Sequence, residues 1–82
     1  DTAGAAAAYQ QAIESGDPEH APMAALNLGN LRAEQGDPDA AEAAYRVAIE
    51  SEHEQSILIA LLQLGALRAG RGNAAGAEVA YR

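Results

Sequence analysis

The sequence has no cysteine, lysine, tryptophan or phenylalanine, only one methionine, and three prolines. Without cysteine, disulfides and thiolate metal sites are excluded, and the redox compartment is left open. Without tryptophan or phenylalanine, the three tyrosines supply all the aromatic bulk. All basic residues are arginine, five against twelve acidic residues, for a net charge of −7. That balance removes the long-range attraction that binding nucleic acid or an anionic membrane requires. No apolar run approaches the roughly 20 residues needed to span a bilayer; the longest, Ile57 to Leu62, ends at Gln63. No signal peptide pattern is visible, and a start at Asp1 without methionine reads as a processed or cloned piece. A cytoplasmic location is the expectation.

What is present is mostly alanine. The 82 residues allow one small domain, and 49% of them are apolar. Alanine favours helix and adds little bulk, so a core built from it works best where helices lie close together. The expected class is all-α.

A period of 36 residues runs through the chain. Leu28-Gly29, Leu31-Arg32-Ala33 and Tyr45-Arg46 return as Leu64-Gly65, Leu67-Arg68-Ala69 and Tyr81-Arg82. Ala12-Ile13-Glu14-Ser15 returns as Ala48-Ile49-Glu50-Ser51, and Tyr9 stands in the register of Tyr45. A period of this length signals a solenoid, in which each unit buries its apolar face on its neighbours.

The punctuation divides each unit into two helices. Gly16-Asp17-Pro18 and Gly36-Asp37-Pro38 are turns: glycine takes the left-handed conformation, aspartate caps the next helix and proline suits its first position. Between them, about Ala21 to Gln35, Leu28, Leu31 and Arg32 share a helical side. Pro22 falls in the first turn, where its missing N–H is harmless. The next helix, about Pro38 to Ser51, carries Ala41, Ala44, Tyr45, Ala48 and Ile49 as an apolar stripe. Glu42, Arg46 and Glu50 form a charged solvent side. A further helix is expected from Gln55 to Ala69, a turn at Gly70-Arg71-Gly72, and a last helix from Ala74. With a first helix near Ala3–Ser15, the expectation is five helices. Residues 1–15 would be the second helix of a leading unit, 16–51 a full unit, and 52–82 a nearly complete, truncated one. The chain reads as excised from a longer array.

The pattern Asn27-Leu28-Gly29-Asn30, Gln35-Gly36-Asp37, Ala41, Tyr45 and Ala48 resembles the tetratricopeptide repeat. Gly29 and Gly65 match the small residue where that family's paired helices cross. Ala41 and Ala77 match the small residue of the second helix. Tyr9, Tyr45 and Tyr81 match its aromatic, and Ala12 and Ala48 the small residue one turn on. The resemblance implies antiparallel helix-turn-helix units stacked in a right-handed solenoid. The period exceeds the family's usual length of about 34; the excess is expected around Gly16–Glu19 and Glu52–Gln55. The large aromatic early in the family's first helix falls on Ala25 and Leu61. Sel1-like repeats are the runner-up, but their glycine-x-glycine turn is not matched by Glu34-Gln35-Gly36.

Little in the sequence suggests chemistry. His20 and His53 lie in connections at non-equivalent positions; with Asp17 and Glu54 they match no metal-ligand spacing, and they read as exposed connection residues. Asp37, Asp39 and Glu42 lack the ligand run of a calcium loop and read as helix-start carboxylates. Gly70-Arg71-Gly72 lacks the strand and lysine of a phosphate loop. Ser15, Ser51, Ser56 and Thr2 lie at helix ends with no base beside them. Enzyme activity and cofactors are not expected. The tyrosines recur at core spacing rather than as a stacking surface for bases. Arg32 and Arg68 are placed to bind a carboxylate of a neighbouring helix.

In the family this chain resembles, the first helices line a concave groove for an extended or helical peptide. The corresponding positions are Met23, Leu26, Asn27, Asn30, Ala33 and Glu34 on one helix. On the next they are Ile59, Leu62, Gln63, Ala66, Ala69 and Gly70. Members that clamp a terminal carboxylate use lysine and arginine where Leu26, Ile59 and Gln63 stand here, and only Asn30 matches. An apolar peptide or helix of a partner protein is therefore the expected occupant, with Asn27, Asn30 and Gln63 fixing its backbone.

Two other readings follow from the same residues. The helix over 57–67 is apolar nearly all round, with Ile57, Leu58, Ile59, Leu61, Leu62, Leu64 and Leu67, and such a helix is normally buried on every side. Self-association into a homo-oligomer, filling the groove with the chain's own copy, is the expectation for the isolated segment. A regulatory arm of a larger protein is the third.

Overall fold

In the computed structural model, which describes the backbone of residues 1–80 and the side chains of residues 1–71, every regular element among the described residues is an α-helix. The order is α1 (Thr2–Glu14), α2 (His20–Glu34), α3 (Pro38–Ile49) and α4 (Glu54–Ala80).

The ends of the first three helices follow from single residues. Asp1 caps α1, its carboxylate accepting from the amides of Ala3 and Gly4. Asp37 caps α3 by accepting from the Ala40 amide at 3.1 Å, and Pro38 holds the first helical position. Gly36, at φ +78°, ends α2: its own amide reaches the Ala33 carbonyl and that of Asp37 the Arg32 carbonyl. This closure satisfies two carbonyls that would otherwise lack partners, and it needs the left-handed residue that glycine supplies. The connections between units are built by the recurring serine. Ser15 and Ser51 each donate to the carbonyl three residues back, at 2.6 Å, and each accepts the amide two residues on.

The helices pack in chain order, α1 on α2, α2 on α3 and α3 on α4, with α2 also meeting α4. The core joins Ala25 and Leu26 of α2, Ala41, Tyr45 and Ala48 of α3, and Ala60 and Leu64 of α4. At the α2–α3 crossing a Cβ on Gly29 would collide with the Tyr45 ring. Glycine is required there because the aromatic lies directly on the helix backbone. Alanine elsewhere along the seam holds the helices close enough for that ring to be almost fully buried. The all-helical hairpin repeat is thus what the sequence implies.

One boundary differs. The turn expected at Gly70-Arg71-Gly72 is absent, and the expected fourth and fifth helices are a single helix, α4. The reason lies in the two residues that follow the glycine. At the α2–α3 turn they are Asp37 and Pro38, and a proline inside a helix lacks the N–H and clashes with the preceding turn. The register equivalents are Asn73 and Ala74, which a helix accommodates, so nothing forces a break. Ion pairs also hold this part of α4 against α3, Arg68 to Glu42 at 3.1 Å and Arg71 to Asp39 at 3.2 Å. The expected placements of Tyr81 and of the Ala77 side chain lie outside the described residues.

Candidate functional site

A groove of about 300 Å³ runs between α2 and the start of α4. It is lined by Met23, Leu26, Asn27 and Asn30 of α2, by His53 ahead of α4, and by Gln55, Ser56 and Ile59 of its first turns. Five of the twelve groove residues expected from the sequence therefore come together: Met23, Leu26, Asn27, Asn30 and Ile59. Spacing explains the α2 set, since positions 23, 26, 27 and 30 repeat at the i, i+3, i+4, i+7 interval of one helix face.

The other seven lie elsewhere. Ala33 is half-buried against the core, and Glu34 is exposed at the end of α2. Gln63, Ala66 and Gly70 continue up α4 on the side of Ile59, beyond the end of the groove, with Gln63 half-buried and the other two exposed. Leu62 and Ala69 are exposed on the next side of α4, facing away from the core.

Three lining residues were not among those expected: His53, Gln55 and Ser56. The sequence places His53 in a connection and Gln55 and Ser56 at the start of the next helix; α4 begins at Glu54 and brings residues 55 and 56 one turn below Ile59. The signal was available in that spacing, four and three residues before Ile59. His53 is half-buried rather than exposed, unlike His20. Its Nδ1 lies 2.6 Å from the Oγ of Ser56 and 3.3 Å from the Ser56 amide, so the imidazole closes the first turn of α4 as a cap. Ser56 is thereby satisfied although almost fully buried.

Among the described residues the groove's polar groups are amides, a hydroxyl and an imidazole, with no arginine, aspartate or glutamate in the lining. Asn30 is oriented from behind. The Tyr45 hydroxyl donates to its Oδ1 at 2.6 Å, which leaves the amide N–H donors free for an occupant. Burial pushes the Tyr45 phenol above its ordinary value, with the Glu34 charge adding to the effect.

The charged groups cluster on the opposite flank. Glu42 accepts from Arg68 of α4 and from Arg46 of its own helix, at 3.1 and 2.9 Å. The Arg68 hydrogen bond is the main cause holding the Glu42 carboxyl below its usual range. Arg68 thus meets a neighbouring helix's carboxylate as expected, whereas Arg32 turns to Gln35 of its own helix end. Asp17, with His20 beside it, is held low chiefly by the backbone amides of His20 and Glu19 that it accepts. Among the described residues no three histidines or acidic groups are arranged to hold a metal ion. No described helix is long and apolar enough to cross a membrane.

No match was found among curated proteins or among solved structures. A family model described as tetratricopeptide repeat matches residues 1–57 and again residues 26–82, spanning the chain between them. Repeats of this kind generally mediate contacts between proteins and are typically non-catalytic. With the Gly29–Tyr45 crossing, the capped α2–α3 turn and that match over its whole length, the chain belongs to the tetratricopeptide repeat family.

Proposed function

We propose that this chain is a protein-interaction scaffold whose α2–α4 groove holds an apolar segment of a partner protein. The observation that carries the reading is the groove's lining: exposed Met23 and Ile59 facing one another across neutral hydrogen-bonding groups on Asn27, Asn30 and Gln55. Apolar walls reward burial of a partner's aliphatic side chains, and amides at the rim can pair with its backbone. A lining without arginine or lysine fits neither a terminal carboxylate nor a phosphate, and the net charge of −7 disfavours nucleic acid and anionic lipid alike. We read α1 as the second helix of a leading unit, α2 and α3 as a full unit, and α4 as opening the next, so the groove lies where first helices of successive units meet. In this reading the chain contributes binding and no catalysis.

Selection of peptides from a display library on the 82-residue chain tests it. Enriched sequences should be rich in aliphatic residues, and fluorescence anisotropy should show their affinity falling tenfold or more in Met23→Asp and Ile59→Asp. Both side chains are exposed, so helicity and melting should hold. Selection of acidic or basic peptides, or binding indifferent to both substitutions, overturns the reading.

A further inference from the structure

The starts of α2 and α4 stand one period apart and are closed by different chemistry. Asp17 and His53 are register equivalents, as are His20 and Ser56. At α2 the Asp17 carboxylate accepts the amide of His20, three residues on, at 2.8 Å. At α4 a ring nitrogen takes that place: His53 Nδ1 lies 3.3 Å from the Ser56 amide and 2.6 Å from the Ser56 hydroxyl. An amide nitrogen can only donate, so Nδ1 accepts, and the proton of the neutral ring sits on Nε2. His20 has the opposite polarity. Its Nδ1 meets a carboxylate oxygen of Asp17 at 3.0 Å and therefore donates. A carboxylate keeps its accepting oxygens throughout the neutral range, whereas an imidazole loses its accepting nitrogen on taking up a proton, between about pH 5 and 8.

His53 is also the wall between two cavities. On one side is the groove, with Gln55 and Ser56. On the other is a cleft of about 370 Å³ lined by Pro18, Glu19, Glu52 and His53. Among the described residues the charged groups in these two linings are carboxylates: Glu19 at the start of α2 and Glu52 in the connection, both exposed. Glu54, also exposed, follows the ring in sequence. The α2 residues that share the groove with it, Met23, Leu26, Asn27 and Asn30, are uncharged. A protonated ring left in place would point a hydrogen on Nδ1 at the amide hydrogen of Ser56. It would also bring positive charge to the N-terminus of α4, where the helix dipole opposes it. Rotated into the cleft, the ring meets Glu19 and Glu52 instead. That gain offsets the lost cap, so the fold is kept and the change is confined to the groove wall. Ser56 is 1% exposed, so water does not replace the ring for its hydroxyl and amide unless the first turn of α4 shifts.

We propose that His53 is a proton-operated latch on the groove: neutral, it caps α4 and walls the groove; protonated, it turns to Glu19 and Glu52, releases Ser56 and lowers affinity for an apolar occupant. This rests on the groove being the binding site and adds its regulation. An occupant that binds only the latched form expels the proton as it binds, so affinity is full where the ring is neutral and falls as pH falls. The register makes the device specific to α4. Asp17 holds the start of α2 with an acceptor that stays ionised over the same range.

Fluorescence anisotropy with a selected peptide that lacks histidine, aspartate and glutamate tests the latch. Affinity should fall roughly tenfold from pH 7.5 to 5.5, the linkage of one imidazole proton. His53→Asp installs the residue that stands at this place one period earlier; whatever its absolute affinity, the ratio between the two pH values should drop below about threefold. His20→Gln should keep the wild-type ratio. A wild-type ratio below about threefold, a His53→Asp ratio as large as that of the wild type, or loss of the ratio in His20→Gln overturns the proposal. The free chain gives a readout that needs no occupant. Long-range proton–nitrogen NMR at pH 7.5 should place the proton of neutral His53 on Nε2 and that of neutral His20 on Nδ1, and the Ser56 amide resonance should follow the His53 titration. A neutral His53 protonated on Nδ1, or a Ser56 amide indifferent to the titration, overturns the latch whether or not a peptide is found. Selection of no peptide overturns the groove reading alone; release of Ser56 by the protonated ring is still decided in the free chain.

Discussion

The hydroxyl of Tyr45 donates to the Oδ1 of Asn30 at 2.6 Å, joining a buried aromatic of the core to the wall of the groove. Replacing it tests both ends of the link. Tyr45→Phe should cost about 1 kcal/mol of stability, the usual net worth of such a hydrogen bond, read from urea unfolding. Freed of its partner, Asn30 can turn its amide, so selected peptides should bind several-fold more weakly with no change in the apolar walls. The same variant reports alkaline behaviour. Burial raises the folded phenol above its ordinary value of 10.0, so the wild-type contribution is complete below that pH and is lost as pH rises through the folded value. Tyr45→Phe should lack that part of the alkaline decline.

Gly29 and Gly65 share a motif but not an environment. Gly29→Ala drives a Cβ into the Tyr45 ring and should destabilise by about 1–3 kcal/mol, the usual range for overpacking. Gly65→Ala meets open space on the surface of α4. It should stabilise by about 0.5–1 kcal/mol, the helix preference of alanine over glycine. Thermal melts of the two variants should therefore move in opposite directions.

The α2–α3 turn depends on Asp37. Its carboxylate accepts the Ala40 amide at 3.1 Å, and Asp37→Ala leaves that donor to water alone. A loss of about 1 kcal/mol is expected. Asp37→Asn should recover most of it, since the amide oxygen can cap equally well. Equal losses in the two variants would assign the effect to charge instead of capping.

Acid should weaken the fold through two carboxylates. Asp17 is held low first by the His20 amide and then by that of Glu19, and Glu42 first by the Arg68 hydrogen bond. Both fold with depressed values relative to 3.8 and 4.5. Their contribution is complete above those values and is lost as pH falls through the lower, folded ones. Melting temperature should be level near neutrality and fall once pH drops below about 4.5. Asp17→Asn combined with Glu42→Gln should flatten the decline, and 0.5 M salt should reduce the Glu42 share, because the guanidinium groups of Arg68 and Arg46 that it meets are exposed.

Much of the fold was legible because it is written in residues with few alternatives. Gly36 at positive φ, Asp37 as cap and Pro38 at the first helical position dictate the α2–α3 turn locally. Gly29 and Tyr45 are complementary in size, and their recurrence marks the crossing in the sequence itself. At Gly70–Gly72 the turn expected from the sequence does not form, because glycine permits a break without requiring one; the proline that enforces it at the earlier turn is absent at Ala74. In the groove, the α2 residues were found by helical spacing. Gln55 and Ser56 are legible by the same spacing from Ile59, whereas His53 enters the lining only because its imidazole closes the first turn of α4.

By itself, the sequence determined the helical class, the hairpin turn and the tight α2–α3 crossing. Each is a matter of local geometry or of residue size and charge, and these act over a few bonds or along one helix. Only the tertiary structure decided that α4 runs unbroken, that Leu61 and Leu62 are bare where Ala25 and Leu26 are covered, and that Asn30 is held by Tyr45. Identical positions in successive units differ because burial is set by what packs opposite, and that neighbour is chosen by the path of the whole chain.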